Sequence, residues 1–322
     1  MTLPQYPPDR TVVRPPLIVI AGPTASGKTA LSLALAGALA GRGIPAEIIS
    51  ADSRQVYRGM DIGTAKVTPQ ERGLVAHHGL DLVNPDEPFS VSDFAAHAET
   101  ALSGIAARGG VAILAGGTGF YLRAVARGIA LDELPWDEAV RADIDARLEA
   151  DGLPALVDEL RRVAPRRAES VDLNNPRRVV RALEIARISG DGELPKPRGY
   201  GRDVLWLGLA VPVQTLQARI DQRARAQFDA GLVDETRALI DRYDPVSRSF
   251  SGIGYAEALG VIRGEMSIAE AVVVDARRNL LFSRRQATWF RREPDILWLE
   301  GGAALPVAQA VNAATRYLET AG

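Results

Sequence analysis

The sequence predicts an α/β protein, a parallel sheet flanked by helices with an all-helical segment inserted into it, on three observations. An apolar pentapeptide, Leu17 to Ala21, runs directly into the segment GPTASGKT, Gly22 to Thr29. Further short apolar runs recur between helical stretches, the alternation that builds parallel strands covered on both faces. Over residues 127–201 the alternation stops and only helical signals remain.

The elements follow in order. Leu17 to Ala21, bounded by Pro16 and Gly22, reads as a buried strand. An Ala- and Leu-rich helix from about Thr29 to Ala40 ends at Gly41 and Gly43. Ala46 to Ser50 is the second strand, with Asp52 just past its carboxyl end. Val111 to Ala115 is the third, entering the turn Gly116-Gly117-Thr118-Gly119; Val204 to Val211 is the fourth and Ile296 to Leu299 the fifth. The insert holds a helix after Pro135, one from Pro154 to Val163, and one from Pro176 to Ser189 with Asn175 as N-cap and Gly190 as stop. After the fourth strand the chain is mainly helical to Arg292. This gives a loose Pro-rich tail over 1–16, a core over 17–126 and 202–322, and a helical insertion domain over 127–201.

Composition narrows the chemistry. The 322 residues are 47% hydrophobic and 24% charged, ordinary for a soluble enzyme. No run reaches the roughly 18 to 20 apolar residues of a membrane helix, so a cytoplasmic protein without membrane contact is expected. There are no cysteines and three histidines, His77, His78 and His97, which removes thiolate chemistry and most zinc sites. A net charge of -2 exerts no global pull on nucleic acid, so such a partner rests on local patches. Lys28, Lys66 and Lys196 are the only lysines among 38 basic residues. Lys28 lies in the glycine-rich segment, where a compact point charge suits phosphate.

That segment matches G-x-x-x-x-G-K-T. Gly22 and Gly27 let the backbone curl until its N–H groups face phosphate oxygens, Lys28 adds charge, and Thr29 is placed to ligate magnesium. The motif marks phosphate and leaves the reaction open. Asp52 lies where a parallel sheet gathers reactive groups. It reads as a turn former, as a carboxylate acting on magnesium, or as a general base facing a second substrate.

In order along the chain, the blocks ADSRQVYRGMDIGTAK (Ala51 to Lys66), His77-His78, GGTGFY (Gly116 to Tyr121), PRRVVRALE (Pro176 to Glu184), GYAEAL (Gly254 to Leu259) and RRQATWFR (Arg284 to Arg291) resemble the tRNA dimethylallyltransferases. The resemblance spans about residues 17 to 292 and implies a P-loop NTPase-like core. It also implies transfer of a dimethylallyl group from its diphosphate to the exocyclic amine of the adenine 3′ of the anticodon. Asp52 would take the amine proton, with Thr118 beside the extruded adenine. Gly22, Pro23, Thr24, Ala25, Ser26, Gly27, Lys28 and Thr29, supported by Arg223, would hold the diphosphate with Mg2+, which Thr29 would ligate. Asp52, Ser53, Arg54, Gln55, Thr118, Arg141, Arg177, Arg178, Val179, Val180, Arg181, Arg284, Arg285 and Gln286 would meet the tRNA anticodon stem-loop. The enzyme would act as a monomer. The loop remains able to bind ATP, but in this setting it reads as a diphosphate holder.

Three departures from the family pattern stand out. Arg54 replaces a common Met, Leu280 falls where an arginine is expected, and the segment after Ser189-Gly190 is altered. The absence of cysteine excludes the zinc finger of eukaryotic members.

From Arg277 to Arg292 six arginines fall at 277/284/291 and 278/285/292, two adjoining helical stripes that read either as a solvated face or as an anion surface. Glu184 stands three residues after Arg181 and can satisfy an arginine internally. Phe282 and Trp289, seven apart, read as core packing over base stacking, and His77-His78 as local structure near the second substrate. Rival functions are prenyl transfer to free adenine nucleotides, a small-molecule kinase, and an RNA-binding protein switched by nucleotide.

Overall fold

A computed structural model of the chain describes residues 13–302 and 304–320. Most of the expected tail lies outside these residues. Its described end is tied down: Pro16 O accepts from Ala112 N at 2.9 Å, Pro15 O accepts from Tyr200 Oη at 2.9 Å, and Arg14 pairs with Glu99 at 2.6 Å. The loose tail therefore does not extend to residue 16.

The described residues divide into two compact units, 129–198 and a larger one before and after it. The larger unit is built on six parallel strands: β1 (Leu17–Ala21), β2 (Ala46–Ser50), β3 (His77–His78), β4 (Val111–Gly116), β5 (Val204–Ala210) and β6 (Ile296–Glu300), in the order β3-β2-β4-β1-β5-β6. The five expected strands are present. The sixth, β3, is the His77-His78 pair, laid along the β2 edge in register with Ile48 and Ile49.

Every residue of β1 is fully buried, because a central parallel strand is covered on both faces. Leu17, Val19 and Ala21 join one apolar cluster, while Ile18 and Ile20 join the other. Helices α1 (Lys28–Ala40), α2 (Pro69–Leu74) and α3 (Val91–Ala107) connect the first four strands, and α4 (Gly119–Ala126) follows β4. In the smaller unit lie α5 (Glu138–Val163), α6 (Pro165–Ser170) and α7 (Pro176–Ser189). Helices α8 (Val213–Asp229), α9 (Leu232–Ile240), α10 (Tyr255–Ile262) and α11 (Ile268–Phe290) lie between β5 and β6, and α12 (Val307–Thr320) closes the described chain.

The smaller unit has its own core, formed by Ile144, Leu156, Leu160, Val179, Val180 and Leu183 among others. The two helices expected on either side of Pro154 are the arms of α5, broken at Gly152 with φ 78°. The altered segment after Gly190 has a local use: Asp191 accepts from the Arg166 and Arg167 amides at 3.0 and 3.1 Å, capping α6.

The carboxyl ends of β2 and β4 approach so closely that a Cβ on Gly116 would stand 2.1 Å from Ala51 O. This contact seats Thr118, whose amide donates to the same carbonyl at 3.2 Å. We expect Gly116→Ala to lose about 1 to 3 kcal/mol in urea unfolding through overpacking, and wild-type stability would show that the approach is slack.

Candidate active site

The residues after β1 form a curled loop. Ala25 and Gly27 adopt left-handed conformations at φ 62° and 98°, which turn the backbone before α1 begins. The first-turn amides of α1 have no intrahelical acceptors, which suits a helix N-terminus to an anion. Lys28 Nζ donates to Pro23 O at 2.8 Å, folding its side chain back over the loop. Burial lowers the Lys28 pKa to about 8, against the opposing influence of the Asp52 carboxylate.

Helix α11 braces this loop. Gln286 accepts from Thr24 N at 2.8 Å and donates to Gly117 O at 2.9 Å, so one buried carboxamide joins the loop to the turn after β4. Gly117 and Gly119 are needed here, since a Cβ would come within 2.4 Å of Gln286 Nε2 and 2.5 Å of the Trp289 ring. The Gln286 side chain, expected to meet tRNA, has its amide engaged within the protein.

Asp52 and Thr118 stand at the ends of neighbouring strands. Asp52 Oδ1 accepts from Arg54 N at 2.8 Å, a local turn that fixes the carboxylate. Thr118 Oγ1 accepts from Ser53 N at 3.0 Å, which leaves its hydroxyl proton free to donate. Both line a cavity of about 810 Å3 together with Lys28, Thr29, Arg219 and Arg223, within the usual range for a small-molecule site.

The cations on α8 complete the loop's surroundings. Arg223 Nη2 donates to Thr24 Oγ1 at 2.7 Å and to Asn279 Oδ1 at 3.1 Å, and burial lowers its pKa. Arg219, one helical turn earlier, reaches Ala25 O at 3.5 Å, Ser26 O at 3.4 Å and the Gly302 carbonyl. Sequence reading missed Arg219, although its i, i+4 spacing from Arg223 was the available signal.

Other expected residues fall differently. Arg54 donates to Arg248 O and Ser249 O at 3.0 and 3.2 Å, binding the turn before α10. The Gln55 amide is engaged with Ser50 Oγ at 2.8 Å and Thr64 O at 3.1 Å. Leu280 packs with Ile220, Ala224 and Ala276 beside Ala25, an apolar seat for the loop. His77 Nδ1 meets Val75 O at 2.7 Å, and burial lowers its pKa, which favours the neutral ring.

One of the six stripe arginines is engaged within the protein and the other five are exposed. Arg278 is half-buried and ion-paired with the buried Glu257, whereas Arg277, Arg284, Arg285, Arg291 and Arg292 are exposed; the Arg285 guanidinium lies 5.8 Å from the Phe282 ring centroid. Trp289 is half-buried and packs against the apolar cluster that holds Leu17, Val19 and Tyr121, as read from the sequence. Phe282, however, is 38% exposed and lines the cavity, so the core reading is corrected for it.

In the smaller unit Arg177 and Arg178 are exposed, and Arg141 and Arg181 share the buried Glu184 at 3.4 and 2.7 Å. Val179 and Val180 are buried in that unit's core at 0% and 1% exposure. Consecutive residues of a helix point about 100° apart, so five in a row cannot all face one ligand. The expected tRNA contact of these two side chains is therefore withdrawn.

Fold and site together define an α/β protein of P-loop-like build whose loop after β1 opens on a cavity that Asp52 and Thr118 also line. A family model described as IPP transferase matches residues 55–293. The tRNA dimethylallyltransferase of Anaeromyxobacter dehalogenans is 46% identical over 291 residues, 88% of this chain and 92% of that protein. That of Thermus thermophilus is 44% identical over 290 residues, with the same coverage of 88% and 92%. The crystal structure of the full-length tRNA isopentenylpyrophosphate transferase from Bacillus halodurans is similar at TM-score 0.70 and 36% identity, covering 95% of this chain and 97% of that one. The chain belongs to the tRNA dimethylallyltransferase family. No described helix is long and apolar enough to cross a membrane.

The Lys28 titration has a signed consequence. A bound diphosphate favours the ammonium, so Lys28 must take up a proton to bind above pH 8. Dimethylallyl diphosphate should bind with constant affinity just below pH 8 and lose up to about tenfold per pH unit above it. The ligand's own last ionisation, about 6 as for a phosphate monoester, lies below this window. Titration calorimetry of wild type and Lys28→Met checks this: the variant should bind more weakly and show no such slope. A flat wild-type profile from pH 7 to 10 would contradict it.

Proposed function

We propose that this protein transfers a dimethylallyl group from dimethylallyl diphosphate to the exocyclic amine of the adenine 3′ of the anticodon in tRNA, acting as a monomer. The observation that carries this reading is the single cavity that Lys28 and Arg223 share with Asp52 and Thr118. One half suits a leaving diphosphate and the other a nucleophile with a proton to lose. The names of the relatives support tRNA as acceptor and an allylic diphosphate as donor.

The two halves act together. The loop amides, Lys28 and Arg223 stabilise the negative charge that grows on the diphosphate as the C1–O bond breaks. The adenine amine attacks C1, its lone pair forms the new C–N bond, and the bond pair to oxygen leaves with diphosphate. Asp52 accepts the amine proton, and the Thr118 hydroxyl holds the base in place by donating to it. Extruding the adenine from the anticodon loop allows this approach. The exposed Arg177, Arg178, Arg277 and Arg284 are available to tRNA phosphates.

The donor set fits magnesium. Among the described residues there is no cluster of three or more acidic, His or Cys side chains that could enclose a metal by itself. Magnesium commonly takes one or two protein oxygens and completes its shell with phosphate and water. The Thr29 hydroxyl, at the start of α1 on the cavity wall, is placed to supply one. Magnesium bound there would add positive charge against the leaving diphosphate.

The test incubates the protein with unmodified tRNA, magnesium and labelled dimethylallyl diphosphate and follows label into RNA. Wild type should transfer. Asp52→Ala should lose about 10² to 10⁴-fold in turnover while still binding tRNA. Folded wild-type protein that leaves an adenine-bearing anticodon loop unmodified would refute the function, and full turnover by Asp52→Ala would assign that carboxylate to structure.

A further inference from the structure

Arg223 is held in an indirect way. Its two acceptors, Thr24 Oγ1 and Asn279 Oδ1, are both neutral. A carboxylate is near, because Asp275 acts on Arg223 electrostatically. Yet among the described residues the two form no ion pair, and Asp275 Oδ1 instead accepts from Asn279 Nδ2 at 2.8 Å. Asp275 and Asn279 stand one turn apart on α11 at 1% and 8% exposure. The other buried carboxylate nearby, Glu257, is paired with Arg278.

The order of groups is Asp275, Asn279, Arg223, Thr24, and each link constrains the next. A carboxylate only accepts hydrogen bonds, so it keeps Asn279 Nδ2 turned toward itself and leaves Oδ1 facing the guanidinium. With the amide flipped, N–H would face N–H and the arginine would lose its anchor. A direct carboxylate partner would fix Arg223 as well, but it would neutralise the charge that an incoming anion needs. The intervening amide aims the guanidinium at the loop and leaves its charge unspent. Burial pushes the Asp275 carboxyl up to about 6, so it is largely ionised at neutral pH and remains a pure acceptor.

We infer that Asp275 and Asn279 are positioning residues for the donor diphosphate: Asp275 locks the Asn279 amide, and the amide aims Arg223 at Thr24 without neutralising it. The inference rests on the diphosphate reading of the loop. Asp275 acts two links from the anion, and neither residue takes part in the chemical step.

The test is a set of variants, Asp275→Asn, Asn279→Ala, Arg223→Ala and the two double variants with Arg223→Ala. For each, dimethylallyl diphosphate affinity, donor KM, kcat, tRNA affinity and melting temperature are measured. Asp275→Asn and Asn279→Ala should each weaken diphosphate binding by about 3- to 10-fold and lower kcat/KM for the donor by at least as much, with tRNA affinity within about twofold of wild type. On the Arg223→Ala background neither should add a further loss, because the residue they position is gone. Should Asp275→Asn fail to fold, Asn279→Ala and its double variant decide the question alone. Wild-type donor affinity in the folded single variants would overturn the inference, as would losses that persist in full without Arg223 or that fall equally on tRNA. Failure of the diphosphate reading would look different: wild type itself would not bind dimethylallyl diphosphate.

Discussion

Two cations stripped of water beyond the carboxyl end of β1 are the feature on which the rest of the site depends. Lys28 and Arg223 both have pKa values lowered by burial, which makes their ionised forms costly without a partner anion. An anion with several oxygens removes that cost, and the loop amides point to where it would lie. The left-handed turns at Ala25 and Gly27, the fold-back of Lys28 onto Pro23 O and the support of Thr24 by Arg223 all keep this charge concentrated in a small volume.

The sheet order makes such a centre useful. Because β1 lies beside β4, and β4 beside β2, the loop after β1, Thr118 after β4 and Asp52 after β2 emerge on one side of the molecule. Helix α11 then ties these segments together. Along its length Asn279, held by Asp275, reaches Arg223, Gln286 joins Thr24 to Gly117, and Trp289 packs against Gly119. One helix sets the spacing between the anion site and the residues facing the acceptor, a distance that transfer between two substrates requires to be fixed.

The parts of this arrangement legible in the sequence were those whose cause is local. An apolar run before G-x-x-x-x-G-K-T gives a strand and its loop whatever the rest of the chain does, and Asn175-Pro176 with Gly190 punctuates α7 by capping chemistry. Strand β3 was not legible, because two histidines become a strand only through pairing with β2. The partners of Gln286 lie 262 and 169 residues away, and no spacing rule anticipates them. Treating the arginines of α11 as stripes placed Arg278 on the right face, but the buried Glu257 that claims it comes from another helix. Reading residues 177 to 181 as one contact block ignored the turn of the helix, which sends Val179 and Val180 inward.

The claim at the centre is that Lys28 waits as a desolvated cation for a diphosphate. With only three lysines in the chain, nitrogen-15 labelling of lysine and NMR of the side-chain Nζ groups can follow Lys28 by itself, assigned through Lys28→Arg. Lys28 should titrate near pH 8 in the free protein and shift to a higher pKa when dimethylallyl diphosphate is bound. A Lys28 signal that titrates near the ordinary lysine value of about 10.4, with or without the ligand, would contradict the account.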